Sequence, residues 1–157
     1  MPKFCRLSKN RLNTCIDSIV ITMNETIKYI DFSIIYGKRS QALQKSLFEK
    51  GRIYRDNKWS IKNLNDVVTY CDGKIDISEH NYTPSRAIDI IPYPTRWVVK
   101  ENFYFLAGYV LNINKELYDS HKVKHLLRWG GDWDSDMDFK DQSFIDLVHY
   151  EIIQESK

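Results

Sequence analysis

The chain has 157 residues, of which 43% are hydrophobic and 28% are charged, as expected for one globular domain with its own core. Its formal net charge of +2 comes from 23 basic and 21 acidic residues, whereas general nucleic-acid-binding proteins usually carry a large basic excess. The three cysteines (Cys5, Cys15 and Cys71) are odd in number and lack metal-site spacing, so we expect no disulfide framework and a reducing compartment. These values predict a single domain over residues 1–157 that does not bind nucleic acid.

The sequence shows no signal for export or membrane insertion. Its first residues lack the apolar core of a secretory signal, and no segment is long and apolar enough to span a membrane. We therefore expect the protein to stay in the cytoplasm of the cell that makes it, unless another factor carries it out. Separately, we expect a monomer.

Hydrophobic periodicity predicts about three helices and several short strands. The helices are predicted at residues 8–29, from Ser40 as a cap to Gly51 as an end, and at residues 100–119. The strands are predicted at residues 31–36, 87–91 and 126–129 and near residues 147–153. Residues 52–77 give no clear boundaries. Because helices are interspersed with short strands, the pattern favours an α+β fold with a small, mostly antiparallel sheet flanked by about three helices.

Asp89 is a carboxylate within an apolar strand. It lies between Ile88 and Ile90, where a buried acid without a partner is costly, so it needs a cation or strong hydrogen-bond donors. His149 lies in a second strand-like run, and strict alternation puts its side chain on the same face as that of Glu151. Both strands therefore predict a polar site on the sheet.

Two histidines and one aspartate (His80, Asp89 and His149) form a ligand set that a catalytic zinc ion uses, because three protein ligands leave the fourth position open for water. Asp146, three residues before His149, is the additional carboxylate that such a water needs as a general base. Spacing alone leaves an alternative, in which these are unrelated polar positions with satisfied hydrogen bonds near a sheet. If the residues meet in space, the chain is a zinc hydrolase with its site on the sheet.

Four ordered motifs carry a family resemblance. They are Gly37-Lys38-Arg39-Ser40, Ser78-Glu79-His80 with Ala87-Ile88-Asp89, Trp129-Gly130-Gly131-Asp132-Trp133, and Asp146-Leu147-Val148-His149-Tyr150-Glu151. In this order they resemble zinc peptidases of the D-Ala-D-Ala carboxypeptidase type, a class that includes bacteriophage L-alanyl-D-glutamate endopeptidases. The resemblance covers residues 30–152, and four motifs in order are much more specific than any one of them.

The resemblance implies a role for each site residue. By position it assigns His80, Asp89 and His149 as zinc ligands and Asp146 as the base. The base takes a proton from the attacking water and passes it to the leaving amine. Arg39 falls where the family has an arginine that stabilises the carbonyl oxyanion or binds the substrate carboxylate; a solvated arginine at a helix start is the alternative. Ser78 is expected to orient the loop of the first ligand, and Glu151 to hydrogen-bond a ligand imidazole.

Two features depart from the family pattern. His80 and Asp89 are nine residues apart, a longer gap than many relatives have, and Thr83-Pro84-Ser85 fills the loop. The base is an aspartate where some relatives have glutamate, so it must approach the water more closely. The longer loop followed by Pro92-Tyr93-Pro94 is similar to that of phage members, so we expect the ligand geometry to be kept.

An aspartate-rich loop follows the Trp-Gly-Gly motif. It places carboxylates at Asp132, Asp134, Asp136 and Asp138, with Asp141 after them. This spacing resembles the oxygen ligands of an EF-hand calcium loop, although the glycine and the glutamate of that motif are missing. The loop is therefore either a calcium site that orders the region beside the catalytic strand or a hydrated acidic surface.

Aromatic and basic residues near the predicted centre allow two interpretations each. Tyr93, Trp129 and Trp133 could line a groove for a stem peptide or glycan, but aromatic residues at strand ends more often belong to the core. A basic run from Lys38 to Lys58 could favour an anionic cell wall, but such a run is more often a solvated face.

The resemblance implies a single-domain zinc peptidase of the phage endolysin type. Such an enzyme hydrolyses peptidoglycan stem peptides, here at the L-Ala–D-Glu bond, with one catalytic zinc ion. We expect it to accumulate in the host cytoplasm without a signal peptide and to act on the cell wall after release through a membrane hole made by another protein. Two alternatives stay open: a D,D-carboxypeptidase or D-Ala-D-Ala dipeptidase of the same class, and a wall-binding phage structural component without turnover.

Overall fold

The computed structural model describes residues 1–153, which form four helices and six strands. The helices are α1 (Arg6–Leu12), α2 (Asp17–Thr26), α3 (Gln41–Phe48) and α4 (Lys100–Asp119). The strands are β1 (Phe32–Tyr36), β2 (Arg52–Arg55), β3 (Lys58–Ile61), β4 (Ala87–Pro92), β5 (Leu127–Trp129) and β6 (His149–Ile152). Two short 3-10 turns lie at Leu64–Asp66 and Glu79–Asn81. Within this described range, no helix is both long and apolar enough to cross a membrane.

Four strands form an antiparallel sheet in the order β1-β4-β6-β5. Strand β6, the last along the described chain, therefore lies between β4 and β5. In this register Asp89 of β4 is paired with His149 of β6, and Arg128 of β5 is paired with Glu151 of β6. The predicted α+β fold with a small, mostly antiparallel sheet is confirmed.

The two faces of the sheet differ in chemistry because side chains alternate along each strand. Ile88 and Ile90 of β4, with Tyr150 and Ile152 of β6, point into the main core, where they meet apolar residues of α1, α2 and α4. Asp89 lies between the two isoleucines and therefore projects from the opposite face. The three helices thus bury one face of the sheet and leave the other face for polar side chains.

The single helix predicted over residues 8–29 is wrong, because α1 and α2 share that range. Between them the backbone pairs elsewhere: the N–H of Ile16 donates to the carbonyl of Ser85 at 2.9 Å, and the N–H of Ser85 donates to the carbonyl of Thr14 at 2.8 Å. Periodicity does not show this break, since apolar residues of both helices face the same core.

Strands β2 and β3 form a separate hairpin in the stretch for which the sequence predicts no boundaries. Asp56 and Asn57 make its two-residue turn, and both have a positive φ, of 50° and 60°, as a type I′ turn requires. The hairpin follows α3 directly, and Trp59 of β3 packs edge-on against Phe48 of that helix, with ring centres 5.9 Å apart.

Candidate metal centre

Three side chains converge on the polar face of the sheet. His80 comes from the turn Glu79–Asn81, Asp89 from β4 and His149 from β6. His80 Nε2 lies 3.0 Å from Asp89 Oδ1 and 3.2 Å from His149 Nδ1, and the third side of the triangle, from His149 Nδ1 to Asp89 Oδ1, is 3.1 Å. The three residues are 0%, 2% and 7% exposed in that order. The structure therefore brings the sequence-predicted ligand set together in a buried triangle with nearly equal sides.

Hydrogen bonds on the outer side of each imidazole determine which ring nitrogen carries the proton. The Nδ1–H of His80 donates to the carbonyl of Gly37 at 2.6 Å, and the Nε2–H of His149 donates to Glu151 Oε2 at 2.9 Å. When both imidazoles are neutral, His80 Nε2 and His149 Nδ1 therefore turn their lone pairs toward Asp89.

The three converging atoms fit a cation. Two nitrogen lone pairs and a carboxylate oxygen that face one another without a proton between them repel, unless a positive charge sits among them. Tetrahedral ligands at about 2.0–2.1 Å from a zinc ion lie roughly 3.3 Å from one another, close to the separations of these three atoms. Two nitrogens and one oxygen are also a donor set of catalytic zinc sites. His80, Asp89 and His149 are therefore a candidate metal centre.

A proton and a metal ion compete for His149. Burial alone lowers the pKa of His149, but its hydrogen bonds to Asp89 and Glu151 outweigh burial and raise the pKa to about 10. Burial also lowers the pKa of His80, and there it outweighs the attraction of Asp89. For Asp89 itself, burial raises the pKa, yet the two histidines and Arg39 together hold it well below its usual value. A metal ion bound at this centre would therefore have to displace a proton from His149.

Asp146 precedes β6 and lies beside the centre. Its N–H donates to the carbonyl of Gly130 at 2.7 Å, and its carbonyl accepts from the N–H of His149 at 3.1 Å. A Cβ atom at Gly130 would lie 2.4 Å from the Asp146 carbonyl oxygen, so this close approach requires glycine. Burial and the charge of Asp89 raise the pKa of Asp146 to about 6. A carboxylate held at this position with such a pKa is suited to accept a proton near neutral pH.

Arg39 contacts the outer oxygen of a ligand. Its Nη2 donates to Asp89 Oδ2, and its guanidinium carbon lies 5.0 Å from the centre of the Tyr36 ring. The backbone N–H of Arg39 donates to the carbonyl of His80 at 2.8 Å, so the residue is fixed from both ends. Its buried Nε–H has no hydrogen-bond partner within residues 1–153. In this arrangement Arg39 orients Asp89, and its role toward a substrate stays a prediction.

The loop that carries His80 is closed by a reciprocal cap. Ser78 Oγ accepts from the N–H of His80 at 3.3 Å, and the side-chain oxygen of Asn81 accepts from the N–H of Ser78 at 3.2 Å. The turn therefore presents the first imidazole in a fixed direction. The nine-residue gap to Asp89 is compatible with the ligand geometry, since the two ligand atoms meet at 3.0 Å.

A cavity of about 320 Å³ opens beside the centre. Its lining includes Arg39, Trp133, Asp146, His149 and Glu151. The Trp133 and His149 rings have centres 5.5 Å apart, and the Trp133 Nε1–H donates to the carbonyl of Phe144 at 2.6 Å. Trp133 thus forms a fixed aromatic wall next to a candidate ligand.

The predicted groove position is wrong for Trp129, which belongs to the core. Trp129 is 2% exposed, packs edge-on against Tyr104 at 5.1 Å, and donates its Nε1–H to the carbonyl of Leu147 at 2.9 Å. This is the core alternative given for a strand-end aromatic residue, here one that is followed by Gly130 and Gly131. Tyr93 is exposed but does not belong to the lining of this cavity.

The aspartate loop folds around Asp132. This residue is buried, and its carboxylate accepts the N–H groups of Asp136 and Met137 at 3.2 and 3.1 Å. Asp132, Asp134 and Asp136 bring ligand atoms within 4.8 Å of one another. Calcium binding by these three residues stays a prediction.

Within the described part of the chain, Asp138 and Asp141 are not members of that group. Asp138 accepts the N–H of Lys140 at 3.0 Å, and Asp141 accepts from the side-chain amide of Gln142 at 2.6 Å. Of the five predicted aspartates, three therefore form the group, and Asp138 and Asp141 lie outside it.

Two residues that shape the centre were missed by the sequence analysis. The Nε–H of Arg128 donates to Glu151 Oε1 at 2.8 Å, and its guanidinium carbon lies 5.4 Å from the centre of the Trp133 ring. Gly37 contributes only its carbonyl, so no side chain marks its role. Arg128 lies opposite Glu151 only because β5 pairs with β6, and no local pattern in the sequence shows that pairing.

Comparisons with known proteins identify the fold and the family. The crystal structure of Serratia marcescens L-Ala D-Glu endopeptidase ChiX is similar, with 18% sequence identity and a TM-score of 0.63 over 96% of this chain and 89% of that chain. At this identity the likeness shows the fold. A search of curated proteins gave no match. Residues 1–153 match the family of phage L-alanyl-D-glutamate peptidases, which confirms the resemblance carried by the four motifs. Since this match covers nearly the whole sequence, the chain belongs to the phage L-alanyl-D-glutamate peptidase family.

Proposed function

We propose that this protein is a zinc-dependent peptidoglycan endopeptidase that hydrolyses the L-Ala–D-Glu bond of stem peptides. The observation that carries the proposal is the triangle of His80 Nε2, Asp89 Oδ1 and His149 Nδ1, with sides of 3.0, 3.1 and 3.2 Å, beside Asp146. Membership of a family described by cleavage of this bond supports the substrate.

His80, Asp89 and His149 are the residues that would hold the zinc ion. Bound there, zinc would polarise the scissile carbonyl as a Lewis acid and would lower the pKa of the attacking water. The surrounding residues keep the three donor atoms directed inward. Gly37 and Glu151 hold the two imidazoles by their outer nitrogens, and Arg39 holds the outer oxygen of Asp89.

Asp146 is the proposed general base. Its carboxylate takes a proton from the attacking water and passes it to the amine of the leaving D-Glu. An aspartate has a short side chain, and the backbone bonds of residue 146 to Gly130 and His149 bring it close to the centre. A positioned acid or base of this kind contributes about 10²–10⁴-fold to the rate.

All the proposed catalytic residues belong to one chain, which supports action as a monomer. We further propose that the protein is made in the host cytoplasm and meets peptidoglycan after release. In the cavity, Trp133 and Asp146 are placed to contact the stem peptide beside the scissile bond.

Mass spectrometry of digested, purified peptidoglycan tests the bond. Cleavage between L-Ala and D-Glu leaves L-Ala at the end of the glycan-linked part and creates a new D-Glu amine, whereas a D,D-carboxypeptidase releases D-Ala. New D-Ala without new D-Glu amines would therefore contradict the proposed substrate. Metal analysis of the same preparation is expected to find zinc.

Two variants separate the base from the metal ligands. Asp146→Ala is expected to keep zinc and to lose roughly 10²–10⁴ in hydrolysis rate. His80→Ala is expected to lose zinc and stability together, because metal binding and folding are linked. Wall lysis by Asp146→Ala at the wild-type rate would refute the role of the base.

A further inference from the structure

Positive charge is concentrated in residues 50–62, which we call the basic hairpin because they contain β2, β3 and their flanks. The segment has a net charge of +4, from the single acid Asp56 and the bases Lys50, Arg52, Arg55, Lys58 and Lys62. The whole chain has a net charge of +2, so the rest of it has a net charge of −2. The basic hairpin, which overlaps the second half of the predicted basic run, is therefore a positively charged segment of an otherwise slightly acidic chain.

The tip of the basic hairpin holds a repulsive pair. Arg55 and Lys58 are directly opposite each other in the register, and both are exposed. Neither takes part in a salt bridge with any residue between 1 and 153. Like charges in opposite positions destabilise a strand pair, and a two-stranded hairpin is only marginally stable by itself. An anion bound by both side chains would remove this repulsion.

The two cations of the tip face away from the protein. Tyr54 and Trp59 are paired across the strands, with ring centres 5.1 Å apart, and Trp59 packs on Phe48 of α3. Their face of the hairpin is therefore turned toward the helix. Because side chains alternate, Arg55 and Lys58 lie on the opposite face, where a large ligand can reach them.

The base of the hairpin adjoins the catalytic cavity. The guanidinium carbon of Arg52 lies 4.1 Å from the centre of the Phe48 ring and 5.6 Å from that of Tyr70, and Tyr70 lines the cavity. Strand β2 has four residues, so the tip extends roughly 13 Å from this wall at about 3.3 Å per residue. When one stem peptide of a polymer lies in the cavity, an adjacent stem of the same polymer can therefore reach the tip.

The chemistry of the proposed substrate matches this patch, and the inference rests on the proposed function. A glutamyl residue that is joined through its amine to alanine has two carboxyl groups, and the stem continues through only one of them. Peptidoglycan thus presents carboxylates at many successive stems. We propose that the basic hairpin binds the carboxylates of stems adjacent to the one being cleaved, so that the enzyme holds the polymer more tightly than an isolated stem peptide.

The variant Lys58→Glu tests whether the basic hairpin binds peptidoglycan. It places opposite charges across the strand pair, which favours the hairpin, while it removes positive charge from the patch. The control Lys124→Glu makes the same charge change at an exposed position outside the hairpin. Binding is measured by co-sedimentation with purified peptidoglycan freed of other wall polymers, in the Asp146→Ala background so that the polymer is not consumed. Lys58→Glu is expected to bind about tenfold more weakly than its control, with a weaker dependence on salt.

A short soluble peptide with one L-Ala–D-Glu bond reports on the catalytic site alone. The Lys58→Glu enzyme is expected to hydrolyse this peptide as the wild type does, but to solubilise peptidoglycan more slowly. Equal binding of Lys58→Glu and Lys124→Glu to peptidoglycan would overturn the proposal. A difference seen only when other anionic wall polymers remain attached would also overturn it. Failure of the wild type to cleave the short peptide would instead refute the proposed function, because binding is measured without turnover.

Discussion

Replacement of Glu151 by glutamine tests whether the outer hydrogen bonds hold the metal centre. In the wild type this carboxylate accepts from two sides, from the His149 Nε2–H at 2.9 Å and from the Arg128 Nε–H at 2.8 Å. Glutamine has nearly the same shape, but it offers one acceptor oxygen and one amide group that only donates. Whichever way the amide turns, one of the two donors then meets another donor.

The two orientations of the amide differ in cost. If its nitrogen faces His149, the ring must carry its proton on Nδ1, the atom that faces the ion, and metal binding is opposed directly. If its nitrogen faces Arg128, the Nε–H and one Nη2–H of the guanidinium lose their partner, but the Arg128 side chain is 41% exposed and water replaces part of the lost bonds. The second orientation therefore prevails, and the remaining loss is the negative charge behind His149. We expect zinc affinity to fall about 10–100-fold, or roughly 1.4–2.7 kcal/mol.

Competition with a chromophoric chelator measures this affinity without reference to activity. A matched control is Asp119→Asn, which removes an exposed acid that pairs with Lys115 on α4. In the double variant Glu151→Gln with Arg128→Met, the amide oxygen can turn to His149 at no cost to a second donor, so affinity should partly recover. Unchanged zinc affinity in Glu151→Gln, or a double variant no better than the single one, would refute this reasoning.

The remaining predictions concern the base, the glycine beside it and the aspartate loop. Burial and the charge of Asp89 raise the pKa of Asp146 to about 6, and a cation in the centre pulls it lower. Since the base must be deprotonated, kcat/KM of the zinc-loaded enzyme is expected to fall as the pH drops through this lowered pKa of Asp146. A level profile down to roughly pH 4 would contradict its role. Gly130→Ala is expected to lower the free energy of unfolding by roughly 1–3 kcal/mol and to displace Asp146. At Gly108 an added Cβ meets nothing within 4 Å, so Gly108→Ala should stabilise α4 by about 0.5–1 kcal/mol. Thermal unfolding measures both changes. If the group around Asp132 binds calcium, a calcium-selective chelator that leaves zinc bound should lower activity, and unchanged activity would mark the loop as hydrated surface.

The ligand set could be predicted because its residues conflict with their surroundings. Asp89 is a charged residue in a strand of isoleucines, and His149 shares a strand face with Glu151; both conflicts are visible without coordinates. The structure places both of these polar residues on the face that the helices leave open. Alternation along a strand was therefore enough to find this part of the candidate site.

Features that depend on which segments pair were beyond the sequence. Arg128 reaches Glu151 only because β5 and β6 are neighbours, and Gly37 acts through a carbonyl that its side chain cannot reveal. The break between α1 and α2 likewise follows from backbone bonds to Ser85, which is far along the chain. Local patterns determine which face is buried, whereas long-range pairing determines which polar groups meet.

Because β6 lies between β4 and β5, completion of the sheet and completion of the candidate centre require the same segment. A ribosome that has released the chain as far as Trp129 has already supplied His80 and Asp89, but the third candidate ligand, His149, and the proposed base, Asp146, lie beyond that point. In the folded sheet β6 is hydrogen-bonded to both β4 and β5, so the four strands are joined only when β6 is in place. A nascent chain that ends before β6 therefore cannot assemble the candidate centre, because the strand that joins the sheet also carries His149, its last candidate ligand.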